Sequence, residues 1–473
     1  MGKSLSLSGE DPKQVDQIIE NYKELLDKIS KCKLPLSLKA SAFNNMALAK
    51  ILHHFSNTRF SEEQLEQLDK ALTQTVRNLY DLYSSTTQLI IYLPREDGGI
   101  GIKRISAVYR TTRIAFLVKM LNHEEDHFRN SARHSLSLDM LRRGVAESGN
   151  EKNFLGYEIT ADGYLNKKTN FGCQSDWPDL LRYARKLDIS IVFRDEKAGV
   201  ILGGKFFDDT SSLQKILFNH TVKRGLIKAN ELSIQGCYFG MDAIHLKSSH
   251  SIFYNWKIDD LLVKFSIKAR LSLLPTNFTL YIWNREHDPL CPFCRSHTES
   301  MAHLMNGCHE FRNFYSRRHN RIADKIEDVL SQSNRRLRVY SNKLMETVFP
   351  EYREELLLIK HRKPDILVID HVSRKCTIVE VTVCYDLYFD YAFEEKLDRY
   401  KSVCCLLRRH LWNVELKVMC FGSLGCIKKD IWRELRSLSV DKLVIKQTLQ
   451  WSSISNVIMA NYIWRHRVRK LFS

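Results

Sequence analysis

Four residues stand at metal-ligand spacing: Cys291, Cys294, His303 and Cys308, in the pattern Cys-x2-Cys-x8-His-x4-Cys. Thiolate sulfur and neutral imidazole nitrogen are donors that zinc prefers, and this set matches a closed tetrahedral site. The two-residue gap lets both sulfurs of a tight turn face one ion, and the four-residue gap suits one helical turn. Four protein ligands leave no position for a water, so the expected role is structural. His297 and His309 stand near enough to replace His303. Further along, Lys363-Pro364-Asp365 is followed by Glu380 inside the apolar run 377–383. Two carboxylates suit a hard cation such as Mg²⁺, and such an ion polarises a phosphodiester and lowers the pKa of an attacking water. Period two puts Glu380 on a face with Ile378 and Thr382, opposite Val379, Val381 and Val383. The plainer alternative is an edge-strand glutamate and a turn aspartate. Lys396 falls in the apolar sector of the next helix, with Phe393, Leu397, Tyr400, Val403 and Cys404. A lone cation there either snorkels or is aimed at a partner.

The rest of the chain must position these groups. At 473 residues it has room for roughly three domains of about 150 residues. A formal net charge of +17 favours polyanionic partners, most often nucleic acid, although a ribosome-like or membrane-surface role carries the same charge. Arg312, Arg317, Arg318 and Arg321 follow the metal cluster, as phosphate contacts or as a solvated helix face. Of 12 cysteines, three sit at metal spacing, and the scatter of the others reads as reduced thiols inside a cell. No apolar stretch approaches the ~20 residues of a membrane span. Gly2 and Ser6 fit a short N-terminal acylation pattern too loose to carry weight.

Helical periodicity marks residues 14–30, a second helix through Leu38, Ala42, Met46, Ala49 and Leu52, and a third opened by Ser61 with Gln64 as its capping-box partner. Asp97-Gly98-Gly99-Ile100-Gly101 reads as a turn, since no Lys-Ser/Thr follows to make it a phosphate loop. Helical pattern resumes over 106–121. Residues 189–193 and 199–202 read as short strands, and Phe206-Phe207-Asp208-Asp209 as a loop or helix cap rather than a catalytic pair. Residues 366–369, 377–383 and 414–421 read as strands, with helices over 391–407 and 428–470, the last ending in a basic segment from Arg465 to Lys470.

This order of motifs resembles the C-terminal half of the polyprotein of site-specific non-LTR retrotransposons that carry a restriction-like endonuclease. Residues 13–105, with the turn Leu93 to Gly101 near their end, look like the helical thumb that follows a reverse-transcriptase palm. Arg270-Leu-Ser-Leu-Leu-Pro-Thr276 looks like a basic motif before the knuckle, and Arg318-His319-Asn320 like a stretch just after it. Cys291, Cys294, His303 and Cys308 match the CCHC knuckle. Lys363-Pro-Asp365, Glu380-Val-Thr382 and Lys396 match the nuclease core, with the lysine displaced from the position of Thr382. The resemblance implies a multidomain α+β protein: a thumb-like region at 1–125, a linker at 126–285, a zinc knuckle at 286–330 and an α/β restriction-like, PD-(D/E)XK, nuclease at 331–473.

It also implies an activity: nicking of target DNA so that the freed 3′ hydroxyl primes reverse transcription of the element's RNA. Asp365 and Glu380 would hold Mg²⁺ and Lys396 would act at the phosphate, while zinc on the knuckle would be structural. Lys268, Arg270, Arg317, Arg318 and Lys363 would touch nucleic acid. The implied location is the nucleus, with no membrane partner and a homodimer left open. The polymerase palm expected before residue 13 is absent, and Asp208-Asp209 comes after the thumb, in the wrong place. The chain is therefore expected to be a portion of a longer RNA-directed DNA polymerase polyprotein. The rival expectation is a binding remnant without turnover.

Overall fold

The computed structural model describes residues 12–56, 58–142, 176–194, 197–333 and 337–472, so the Gly2–Ser6 pattern lies outside the described residues. Among the described residues the fold is mixed α+β with two small sheets. Helices α1 (Pro12–Lys31), α2 (Glu62–Tyr80) and α3 (Ile105–Leu121) build the N-terminal part. α1 buries Val15, Ile18, Ile19, Tyr22, Leu26 and Ile29, and α2 buries Leu65, Leu68, Leu72 and Val76. Both sets recur at three- and four-residue steps, which puts each on one stripe. Ser61 and Gln64 make the expected reciprocal cap, a feature whose loss costs about 1 kcal/mol. Buried Asp69 then ties α2 to α3 through the backbone N–H and hydroxyl of Ser106, 3.1 and 2.6 Å away.

The helix expected through Leu38 to Leu52 begins at Leu36 and passes through one wide π turn at Phe43–Ala47. Asn44 sits in that turn, donating to the carbonyl of Gly101 and accepting from the N–H of Lys103. The extra residue per turn is thus spent on gripping the glycine-rich turn. The glycines of that turn serve the backbone: Gly98 has φ +92°, and a Cβ at Gly99 would lie 2.0 Å from the carbonyl oxygen of Leu93.

Strands β1 (Ser190–Arg194), β2 (Lys197–Leu202) and β3 (Lys205–Phe207) form an antiparallel meander. Asp209 caps the next helix, α4 (Thr210–Asn230), by accepting from the N–H of Ser211 at 3.0 Å, as the cap reading expects. The apolar core runs unbroken from α1 to helix α5 (Asp260–Arg270), to Cys291, Leu304 and Phe311, and to the C-terminal helix at Val457, Ala460 and Ile463.

The second sheet has the order β4 (Arg338–Ser341), β5 (Ile366–Asp370), β6 (Lys375–Cys384), β7 (Asn413–Gly422). The first two pairings are antiparallel and β6–β7 is parallel. Between β6 and β7 runs a helix over Phe389–Arg409, which covers one face with Tyr400, Val403 and Leu407 against Leu367, Ile369 and Ile378. The other face, with Ile366, Val368, Val379 and Val381, meets Ile322 and Ile326 of the helix Arg312–Ser333 and Ile431 and Ile445 further on. Coverage on both faces explains why 377–383 reads as a nearly continuous apolar run. In chain order the longer helices of this part are α6 (Arg312–Ser333), α7 (Phe389–Arg409), α8 (Asp430–Ser437) and α9 (Lys442–Phe472).

One buried ion pair locks the metal cluster's segment to α9. Arg467 donates from Nε and Nη2 to the two carboxylate oxygens of Glu299, at 3.0 and 2.7 Å. Glu299, fully buried, also accepts from the N–H of Asn277. Glu299→Ala strands a buried guanidinium and is expected to cost about 3–5 kcal/mol. Urea unfolding checks this, and a midpoint unchanged from the parent would show that the pair contributes nothing.

Candidate functional site

The four expected metal ligands converge. The Sγ atoms of Cys291 and Cys308 lie 3.8 Å apart, and Cys294 Sγ lies 3.4 Å from His303 Nε2. All four ligand atoms fall within 4.8 Å of one another. Zinc–sulfur and zinc–nitrogen bonds of about 2.3 and 2.05 Å at a tetrahedral angle give separations of about 3.8 and 3.6 Å. A disulfide is excluded at that sulfur distance. The cluster could hold a metal ion such as zinc.

The local chain explains the convergence. Cys291 and Cys294 flank a tight turn in which the N–H of Arg295 bonds the Cys291 carbonyl, with Arg295 at φ +52°. His303 opens a π turn, His303–Gly307, which delivers Cys308. This wider turn answers the four-residue gap. Of the alternatives, His297 stacks on His303 at 5.4 Å between centroids and is outside the cluster, as is His309. Burial pushes the Cys308 thiol up to about 12 and Cys291 up as well, a penalty that a bound cation reverses by favouring thiolate.

The second candidate centre lies on the β5–β6 hairpin. Ile366 pairs with Val379, which sets Asp365 opposite Glu380. The N–H of Asp365 donates to Glu380 Oε1 at 3.0 Å, and the N–H of Val381 donates to Asp365 Oδ2 at 2.9 Å. Lys396 reaches from α7 to Glu380 Oε2 at 2.7 Å. Its position inside the apolar sector is therefore that of a cation aimed at a partner. The side chain of Glu380 is 1% exposed and that of Lys396 15%. Desolvation, then the charge of Asp365, raises the Glu380 pKa. Desolvation acts most strongly on Asp365 and would raise it, but the hydrogen bond and charge of His319, the charge of Lys396 and the Val381 N–H together hold it below the ordinary carboxylate value.

His319 is the participant that residue-level reasoning missed as a site residue. Its Nε2 lies 3.2 Å from Asp365 Oδ2 and 3.0 Å from the carbonyl oxygen of Val381. Both neighbours are acceptors, so this nitrogen carries a proton. The available signal was helical spacing: His319, Ala323 and Ile326 share the stripe of α6 that faces β6.

The two centres are physically linked. Asn306, in the metal cluster's π turn, donates to the carbonyl of Val383 on β6 at 2.7 Å. Arg318, beside His319 on α6, donates to the carbonyl of Met305 at 2.9 Å.

The expected nucleic-acid contacts divide. Arg317 and Lys363 are exposed and Lys268 is half-buried. Arg270 and Arg318 must be corrected, because both are buried. Arg270 donates to the carbonyls of Leu424 and Ser249 and to His250 Nδ1, bracing the turn after β7. Arg318 lies under the metal cluster and is unavailable to a phosphate. Its spacing from Phe311, Tyr315 and Ile322 places it on the inward stripe of α6.

No helix among the described residues is long and apolar enough to cross a membrane. Comparison with protein-family models and with curated proteins finds no match to this chain.

Proposed function

We propose that the chain is a metal-dependent DNA endonuclease of the restriction-like kind, the C-terminal portion of a retrotransposon polyprotein, with zinc as the structural ion of the Cys/His cluster. The observation that supports it best is the meeting of Asp365, just before β5, with Glu380 of β6 and Lys396 of α7. Surface ion pairs do not need a buried glutamate with a lysine brought from another element. Carboxylate oxygens and the Val381 carbonyl are a hard-oxygen donor set of the sort Mg²⁺ takes. Bound there, the ion would polarise the scissile phosphate and lower the pKa of the attacking water.

The chain's own residues do the rest. Asp365 and Glu380 supply negative charge from a rigid hairpin, each braced by the other strand's backbone. Lys396 offsets the charge of Glu380 and, with an ion held by the carboxylates, would stabilise negative charge at a phosphate oxygen. His319 holds the Asp365 carboxylate in place. Arg317 and Lys363 are the exposed cations that would neutralise nearby phosphates, and the freed 3′ hydroxyl would prime synthesis on the element's RNA.

Purified protein is expected to relax supercoiled plasmid by single nicks with Mg²⁺ and to leave it intact in EDTA. Equal conversion in both would refute a metal-dependent nuclease. Binding to duplex DNA should fall with salt at a log–log slope of roughly −0.9 per phosphate neutralised. A slope near zero in a filter-binding titration would remove duplex DNA as the partner. A binding remnant without turnover would show the slope and no Mg²⁺-dependent nick.

A further inference from the structure

The basic C-terminal segment is used in two different ways by the fold. Arg467 is spent on Glu299, and Lys470 pairs with Glu310. Tyr462, Arg465, His466 and Arg469 recur at three- and four-residue steps and so share the other stripe of α9. That stripe, with Lys257 across from it, lines a cleft of about 640 Å³. Arg465, Arg469 and Lys257 are exposed, and Tyr462 is 62% exposed. The single acid of the lining, Asp259, already accepts from the N–H of Leu261 at 2.8 Å as a helix cap. The cleft is therefore cationic along one wall, with an aromatic ring standing free beside the cations.

We infer that this cleft binds a single-stranded polynucleotide, with phosphates on Arg465, Arg469 and Lys257 and a base stacked on Tyr462. Three cations along a groove track a phosphodiester backbone, and an exposed ring beside them takes any base by its π face. The volume matches sites that take one nucleotide-sized unit, which are about 300–1,000 Å³. A double helix does not enter a cleft of this size, so the strand is single. The choice of a polynucleotide as ligand rests on the nucleic-acid reading above, but the cleft shares no residue with the carboxylate site.

The test is fluorescence anisotropy of the full chain with labelled oligothymidylate and, separately, oligouridylate, with inorganic phosphate and a DNA duplex as competitors. Removing two phosphate contacts in the pair Arg465→Ala/Arg469→Ala should flatten the log–log salt slope by about 1.4, at ~0.7 per phosphate on a single strand. Tyr462→Ala should weaken binding about five- to 150-fold, while Tyr462→Phe keeps the ring and the affinity. All three altered positions are exposed, so circular-dichroism melting should match the parent and certify the fold. Tighter binding of one oligonucleotide identifies the strand as DNA or RNA. Parental affinity and slope in the double variant would overturn the proposal, as would duplex or phosphate displacing the oligonucleotide at equal phosphate concentration. Plasmid nicking by the parent separates the two readings: strand binding by a parent chain that does not nick with Mg²⁺ leaves the cleft standing and removes the nuclease, while a parent that nicks and yet binds no single strand keeps the nuclease and removes the cleft.

Discussion

Asp365→Ala is expected to reduce Mg²⁺-dependent nicking of supercoiled plasmid by at least 10²–10³-fold, on the order of what loss of one preorganised electrostatic group costs. Asp365 stands before β5 and faces Glu380 across the hairpin, so its carboxylate is one of two that would hold the ion. The side chain is only 15% exposed, so Asp365→Ala also leaves a small cavity and the Val381 N–H without its acceptor. Asp365→Asn is the closer control, since it keeps shape and removes charge, and it should be equally inactive. Glu380→Gln should behave likewise, because the amide can still accept from the Asp365 N–H and yet has no charge to offer a cation. Time courses of nicked product measure all three, with duplex binding as the check on integrity. Nicking at the parental rate in Asp365→Asn would end the assignment of this residue as a metal ligand.

The second large effect belongs to the Cys/His cluster. Cys291→Ser removes a buried sulfur that lies 3.8 Å from Cys308. Structural zinc contributes about 10–16 kcal/mol of apparent binding energy in small zinc modules, as much as the whole stability of many domains. Elemental analysis should find about one zinc per parental chain and far less in the variant. Limited proteolysis should cut the variant within residues 286–311 while the parent resists. Equal zinc content in both proteins would sink the cluster as a metal site.

Much of this arrangement was legible in the sequence because it rests on short-range rules. The cysteine spacing reports a turn and a helical gap, both local. Ser61 and Gln64 form a cap within four residues. Alternation around Glu380 follows from the pleat of one strand, and the odd place of Lys396 on its helix pointed across the sheet. What could not be read was set at long range. Arg270 and Arg318 carry charge, and charge suggested solvent, but carbonyls of Leu424 and Met305, 154 and 13 residues away, take their N–H groups in the interior. Arg318 at least lay on an apolar stripe, whereas nothing local marks the partner of Arg270. His319 depends on β5 and β6 arriving beside α6, and no pattern within α6 announces a carboxylate.

Arg318 and His319 are consecutive on α6, about 100° apart around its axis. One answers to the turn that carries His303, the other to Asp365. The helix thus acts as a common axle with two cranks. A rotation that relaxed the grip at one end would swing the other out of register, so neither centre has a private degree of freedom. A loss of nicking alone cannot say which centre was struck; the metal content and the state of the hairpin have to be read together.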